Sequence, residues 1–141
     1  MADTSQKYGN VGKHFADGDI DYTTDTIKCI FLKNTYTPNY DTHETVTDLV
    51  LGSNECSGAV YTAGGETLAT KSAMYSSGND NTLFSAADIS LPNETIAGVK
   101  YLVIADTSST YLITCITLDP EKSATAQEFK VVFATNGIFT M

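Results

Sequence analysis

Two runs rich in β-branched and aromatic residues, Ile96 to Ala105 and Tyr111 to Leu118, are joined by the polar turn Asp106-Thr107-Ser108-Ser109. Side chains branched at Cβ are restricted at χ1 and suit a pleated surface, so this arrangement predicts an antiparallel hairpin. A lone hairpin cannot bury enough surface to stand by itself and needs a second layer. Shorter runs supply one. Thr26 to Leu32 reads as a buried strand ended by the turn residues Asn34 to Asn39, and Leu68, Thr70, Ser72 and Met74 alternate with Lys71 and Tyr75. Thr82-Leu83-Phe84 follows the Ser76 to Asn81 turn, Phe129, Val131 and Phe133 alternate with Lys130 and Val132, and Ile138-Phe139 follows Asn136-Gly137. The expected fold class is all-β: an antiparallel β-sandwich of about six to eight strands, with one short α-helix and an N-terminal helical arm.

The helix is predicted after Asp41-Thr42-His43-Glu44, which fits a capping box with Asp41 as N-cap. Val46, Leu49 and Val50 would share a face over roughly two and a half turns, and Gly52 would stop it. Tyr8, Val11 and Phe15 fall at helical spacing ahead of Asp17-Gly18-Asp19-Ile20-Asp21, which predicts a short, loosely attached helix. The chain therefore divides into an arm over residues 1–16 and a sandwich over 17–141, and deletion of residues 2–15 is expected to leave the sandwich folded. At 141 residues the chain has room for one core, with about 7,000 Å² left exposed of roughly 22,000 Å² in the extended chain.

The charge balance excludes some partners. Eight basic residues, all Lys, face seventeen acidic ones, for a formal net charge of −9. Without Arg the chain lacks the planar fork that grips phosphates and guanine edges, and its negative field repels nucleic acid and anionic lipid. No nucleic-acid or membrane partner is expected. Met1 to Lys13 lacks the apolar core of a secretory signal, and Asn93-Glu94-Thr95 reads as a chance glycosylation match. Cys29, Cys56 and Cys115 are odd in number and far apart, without metal-ligand spacing. They read as reduced core thiols of a protein made in a cytoplasm.

The chemical motifs are few. Asp17, Asp19 and Asp21 alternate like the first ligands of a calcium loop, but Tyr22 and Lys28 stand where that loop needs Gly and Glu. A solvated acidic turn is the better reading, with a weak surface calcium contact from Asp17 to Asp25 left open. His14 and His43 are the two imidazoles, and neither has an oriented partner in sequence, so both read as polar loop or helix-start residues. No nucleophile elbow, zinc motif or phosphate loop is present, so no catalytic residue, metal or cofactor is expected. Gly64-Gly65 permits positive φ at a tight turn before Glu66. Tyr22, Tyr36, Tyr40 and Tyr61 lie in or beside turns, where they either seal the ends of a sandwich or offer a sugar-stacking or protein-docking surface.

Four blocks occur in order: Asp25-Thr26-Ile27-Lys28; Tyr36-Thr37-Pro38-Asn39-Tyr40-Asp41-Thr42-His43; Asn54-Glu55-Cys56-Ser57-Gly58; and Tyr61-Thr62-Ala63-Gly64-Gly65-Glu66-Thr67-Leu68. With Ile96 to Asp106, Leu118-Asp119 and Asn136-Gly137-Ile138-Phe139, they resemble a family of small tailed-bacteriophage virion structural proteins, over most of the chain from about Phe15 to Met141. Ala59-Val60, Ser90-Leu91 and Gly98-Val99-Lys100 depart from the family's pattern. Some members resemble capsid decoration, or cement, proteins. The resemblance implies a non-enzymatic protein, synthesised in the host cytoplasm, that binds the major capsid protein on the outer head surface. It also implies self-association, as a homotrimer. A tail or neck component is the alternative, followed by a carbohydrate-binding module using Tyr36, Tyr40 and Tyr61. The candidate contact residues are Tyr8, Val11 and Phe15 in the arm, and Tyr36, Tyr40 and His43 in the loop.

Overall fold

The computed structural model describes residues 3–133 and 137–141. Met1 and Ala2 of the expected arm, and Asn136 of the expected final turn, lie outside the described residues. In chain order the elements are β1 (Thr4–Lys7), α1 (Val11–Ala16), β2 (Ile27–Leu32), a 3₁₀ turn (Val46–Leu49), α2 (Leu51–Asn54), β3 (Glu66–Thr67), β4 (Ser72–Ser76), β5 (Asn81–Ser85), β6 (Ile89–Asp106), β7 (Tyr111–Val131) and β8 (Phe139–Thr140). The strands form two antiparallel sheets, ordered β1-β7-β6-β2-β3 and β4-β5-β8. This is the all-β, sandwich-like architecture that the sequence predicts. The accessible surface is 7080 Å², the value expected for a compact chain of this size.

The predicted hairpin is the spine of the larger sheet. Asp106 pairs with Tyr111, and the two strands run on well past the expected ends. Between Leu91 and Tyr101 the register shifts repeatedly, and Asn93, Gly98 and Ala126 there adopt positive φ. Such bulges bend and twist a ribbon too long to stay flat. They also accommodate Pro92 and Pro120, which cannot donate to a regular ladder. The run around Phe129 and Val131 is therefore a continuation of β7, not a separate strand.

Strand β2 is apolar but for the half-buried Lys28, because both faces of its sheet are covered. Ile27, Cys29 and Phe31 belong to one core cluster, with Phe84 of β5 and Phe139 of β8. Ile30 and Leu32 belong to a second cluster, with Tyr8, Tyr36, Leu49 and Cys115. The first is the filling between the two sheets. The second is roofed by the chain around residues 36–51. A strand buried on both sides loses the polar alternation of a half-exposed one.

Three local expectations are corrected. The helix predicted from Asp41 does not form. Thr45 and Asp48 make the capping box instead, with the Glu44 and Thr45 amides donating to Asp48 Oδ2 at 2.8 and 3.0 Å. The 3₁₀ turn ends at Val50 in the left-handed region (φ 50°), and Gly52 lies inside the short α2 instead of stopping a helix. Second, Leu68 to Met74 is not one strand, since Thr70 (φ 52°) breaks it between β3 and β4. Third, the N-terminal segment is not loosely attached. Thr4 to Lys7 pair with Thr117 to Thr114, and Tyr8 and Val11 are buried at 1% and 3% exposure. The predicted turn before Glu66 is observed: Gly65 has φ +114°, and a Cβ there would lie 2.9 Å from Ile30 Cγ1.

All three cysteines are free and buried. Burial pushes the Cys56 and Cys115 thiols up to about 11, and the Cys29 thiol higher still. The reactive thiolate is thus suppressed at neutral pH. A thiol reagent at neutral pH should label none of the three in the native protein within minutes and all three after denaturation. Rapid labelling of Cys115 without denaturant would contradict this packing.

Candidate interaction surface

Four of the candidate contact residues come together, but largely inside the protein. The Tyr8 and Tyr36 hydroxyls are 2.7 Å apart, and Tyr36 Oη lies 2.9 Å from His43 Nδ1. The Tyr40 ring packs 5.2 Å from that of Tyr8, and the Gly9 amide donates to the Tyr40 carbonyl at 2.7 Å. Burial pushes the Tyr36 phenol up to about 12, and those of Tyr8 and Tyr40 beyond it. These hydroxyls stay protonated and serve as hydrogen-bonding partners under the roof of the larger sheet. Val11 lies in the other core cluster, and half-buried Phe15 packs on Phe84 and Phe139 at 5.4 and 6.3 Å.

Of the two readings of the turn tyrosines, sealing of the sheets is the one observed for three of them, not an exposed stacking surface. Tyr22, Tyr36 and Tyr61 are buried and seal the sheets with their rings. Tyr61 stacks on Phe31 at 4.6 Å, donates to Glu55 Oε2 at 2.7 Å and accepts from the Phe31 amide at 3.1 Å. Only Tyr40 and His43, both half-buried, reach the surface from this cluster.

Two polar constellations escape a sequence reading because their partners are distant in the chain. His14 is buried, with Asp19 Oδ2 3.0 Å from Nδ1 and Glu44 Oε1 2.7 Å from Nε2. Its ring stacks on Tyr111 with centroids 3.5 Å apart. Both ring nitrogens are engaged by carboxylates. The imidazole is a clasp between α1, the acidic loop and the chain before the 3₁₀ turn. Glu94, wholly buried, accepts the Val60, Tyr61 and Thr95 amides at 3.0, 2.7 and 2.8 Å. Burial alone would raise its pKa, but these backbone donors outweigh burial and hold the carboxyl below the usual glutamate range. Gly58 lies against it; a Cβ there would meet Glu94 Oε1 at 2.8 Å.

An open groove of about 750 Å³ lies by β1, β7 and β8, lined by Lys7, Ile116, Phe129, Lys130 and Phe139 among others. Its described lining includes lysines and Asp3 but neither imidazole nor thiol.

Two adjacent exposed apolar side chains stand on the β4–β5 hairpin. Strand β4 forms one edge of its sheet, and the adjacent Met74 and Tyr75 are 64% and 66% exposed. Neighbouring strand residues point to opposite faces, so neither face of β4 is covered at this point. The sequence signal was the unbroken Ala73-Met74-Tyr75 between serines, apolar on both faces of a strand. No protein-family model matches the chain, and searches of curated proteins and of solved structures return no significant relative.

Proposed function

We propose that this chain is a non-enzymatic structural protein of a tailed-phage virion, a decoration protein that binds the outer surface of the head through the β4–β5 hairpin. The observation that carries the reading is the edge strand with apolar side chains bare on both faces. Such an edge is an aggregation liability unless an assembly covers it. The family resemblance supplies the partner, the major capsid protein. Many weak contacts to an assembled shell stabilise it by mass action, since the protein binds the assembled state and not its parts. The net charge of −9 keeps a densely coated particle soluble.

The test is co-sedimentation with purified shells. A Met74→Asp, Tyr75→Asp double variant should bind about tenfold or more weakly, because buried aromatic anchors dominate interface energetics. Its thermal midpoint should stay near that of the parent, since both side chains already face solvent. Undiminished binding by the variant, or wild-type binding to isolated tails in place of heads, would overturn the reading.

A further inference from the structure

The smaller sheet has three strands against five in the larger, and β8 is its free edge. The groove by β1, β7 and β8 lies where a fourth strand of the smaller sheet would fall. Its lining takes in Thr140 of β8 and, from the larger sheet, Leu102, Ile116, Leu118 and Phe129. Those four side chains belong to the packing between the sheets or rest against it. Met141 exchanges both main-chain bonds with Thr82, at 2.7 and 3.0 Å, so in an antiparallel ladder the main-chain groups of the preceding Thr140 turn away from β5. The Thr140 carbonyl is met there by Lys7 Nζ at 2.7 Å instead of by a strand. The charge of the groove is also opposite to that of the molecule. Lys7, Lys122 and Lys130 line it against the single carboxylate of Asp3, on a chain of net charge −9. Asp3 Oδ1 accepts the Asp119 amide at 3.0 Å, and among the described residues neither Lys122 nor Lys130 is in an ion pair.

We propose that the groove seats an extended segment of a partner protein as a fourth strand beside β8, a segment apolar at alternate positions and acidic between them. Strand addition satisfies an open edge through main-chain bonds and takes its specificity from alternate side chains. Successive side chains of a strand point to opposite faces. Every second residue of the guest therefore meets the apolar floor, and the residues between carry carboxylates to the exposed lysines. A long-chain carboxylate would fill the floor and meet a lysine but leave the β8 edge without a partner. The site lies at the edge of the smaller sheet opposite β4, so it stands independently of the hairpin contact proposed above.

Fluorescence anisotropy of labelled peptides with the full chain, at about 0.15 M salt, tests the site. A peptide of four Glu-Val repeats should bind with a Kd on the order of 100 μM. One of four Lys-Val repeats should bind at least about tenfold more weakly, the reverse of what a net charge of −9 alone dictates. The acidic peptide methylated on every main-chain nitrogen should not compete, because it cannot pair as a strand. Lys122→Glu and Lys130→Glu, both at exposed positions, should each weaken binding about threefold or more without lowering the thermal midpoint. Lys33→Glu, outside the groove, should leave binding within about twofold. The peptide comparison on the wild type survives if a variant fails to fold. No binding of the acidic peptide at about 1 mM, equal or tighter binding of the basic one, competition by the methylated one, or unchanged affinity in both Lys122→Glu and Lys130→Glu would overturn the proposal. Binding of dodecanoate without binding of the acidic peptide would assign the groove to an amphiphile and overturn it as well.

Discussion

Deletion of residues 2–15 is expected to abolish the folded state instead of releasing a separable sheet domain. The segment contributes β1, paired to β7 over four residues, and buries Tyr8 and Val11 in the two different core clusters. It also carries His14, whose ring joins Asp19 to Glu44. Burying each large apolar side chain is worth about 1.5–3 kcal/mol. With the lost strand pairing and the orphaned carboxylates, the loss should exceed about 5 kcal/mol, comparable to the whole stability of an ordinary domain. Circular dichroism of the truncated chain should show no cooperative thermal transition. A sharp transition within a few degrees of the full chain would show that the segment is an appendage after all.

The second large effect is expected at Glu94. Replacing it with Ala leaves the Val60, Tyr61 and Thr95 amides facing an empty pocket. Each buried donor left without a partner costs about 1–3 kcal/mol, so a loss of roughly 3–5 kcal/mol and a midpoint lower by about 10–15 °C are expected. Glu94→Gln keeps one acceptor oxygen and should fall between. The backbone donors hold the carboxyl below the usual glutamate range in the folded state, so the unfolded chain binds the proton more readily. The stabilisation is therefore complete above the unfolded pKa and is lost as pH falls through the folded one. Glu94→Gln should flatten that acid limb of the stability curve. An unchanged limb in the variant would assign the acid sensitivity to other carboxylates, such as Asp48, which backbone donors also lower.

What could be read from the sequence was what local chemistry decides. The β-branched runs on either side of the Asp106 turn predict the central hairpin, and Thr26 to Leu32 predicts a buried strand; that both of its faces are covered is visible only in the fold. Gly64-Gly65 predicted a tight turn. The helix was misplaced because Asp41/Glu44 and Thr45/Asp48 are both acceptable caps at the same spacing. Their choice depends on Val46 donating its amide to Thr110 across the fold at 2.9 Å, a contact that no local pattern encodes. The N-terminal residues read as an arm because a helical spacing says nothing about whether its apolar face is docked.

The polar groups were the least legible. Beside near neighbours such as Asp19 and Thr95, His14 and Glu94 depend on partners 30 or more residues away: Glu44 for His14, Val60 and Tyr61 for Glu94. In a sheet protein the long-range pairing of strands decides which side chains meet, so spacing along the chain carries little of that information. Tyr36, Tyr40 and His43 lie in one loop, and Tyr8 and Cys115, distant in the chain, join Tyr36 and Tyr40 in the same packing cluster.

The central claim is that this molecule works by adhesion to an assembled particle. The measurement that tests it most directly is a reconstruction of the tailed-phage particle to which the proposed function assigns this chain. It should place hundreds of copies on the outside of the head, with Met74 and Tyr75 against the shell. A handful of copies on the tail, or a particle surface that leaves the β4–β5 hairpin bare, would contradict it.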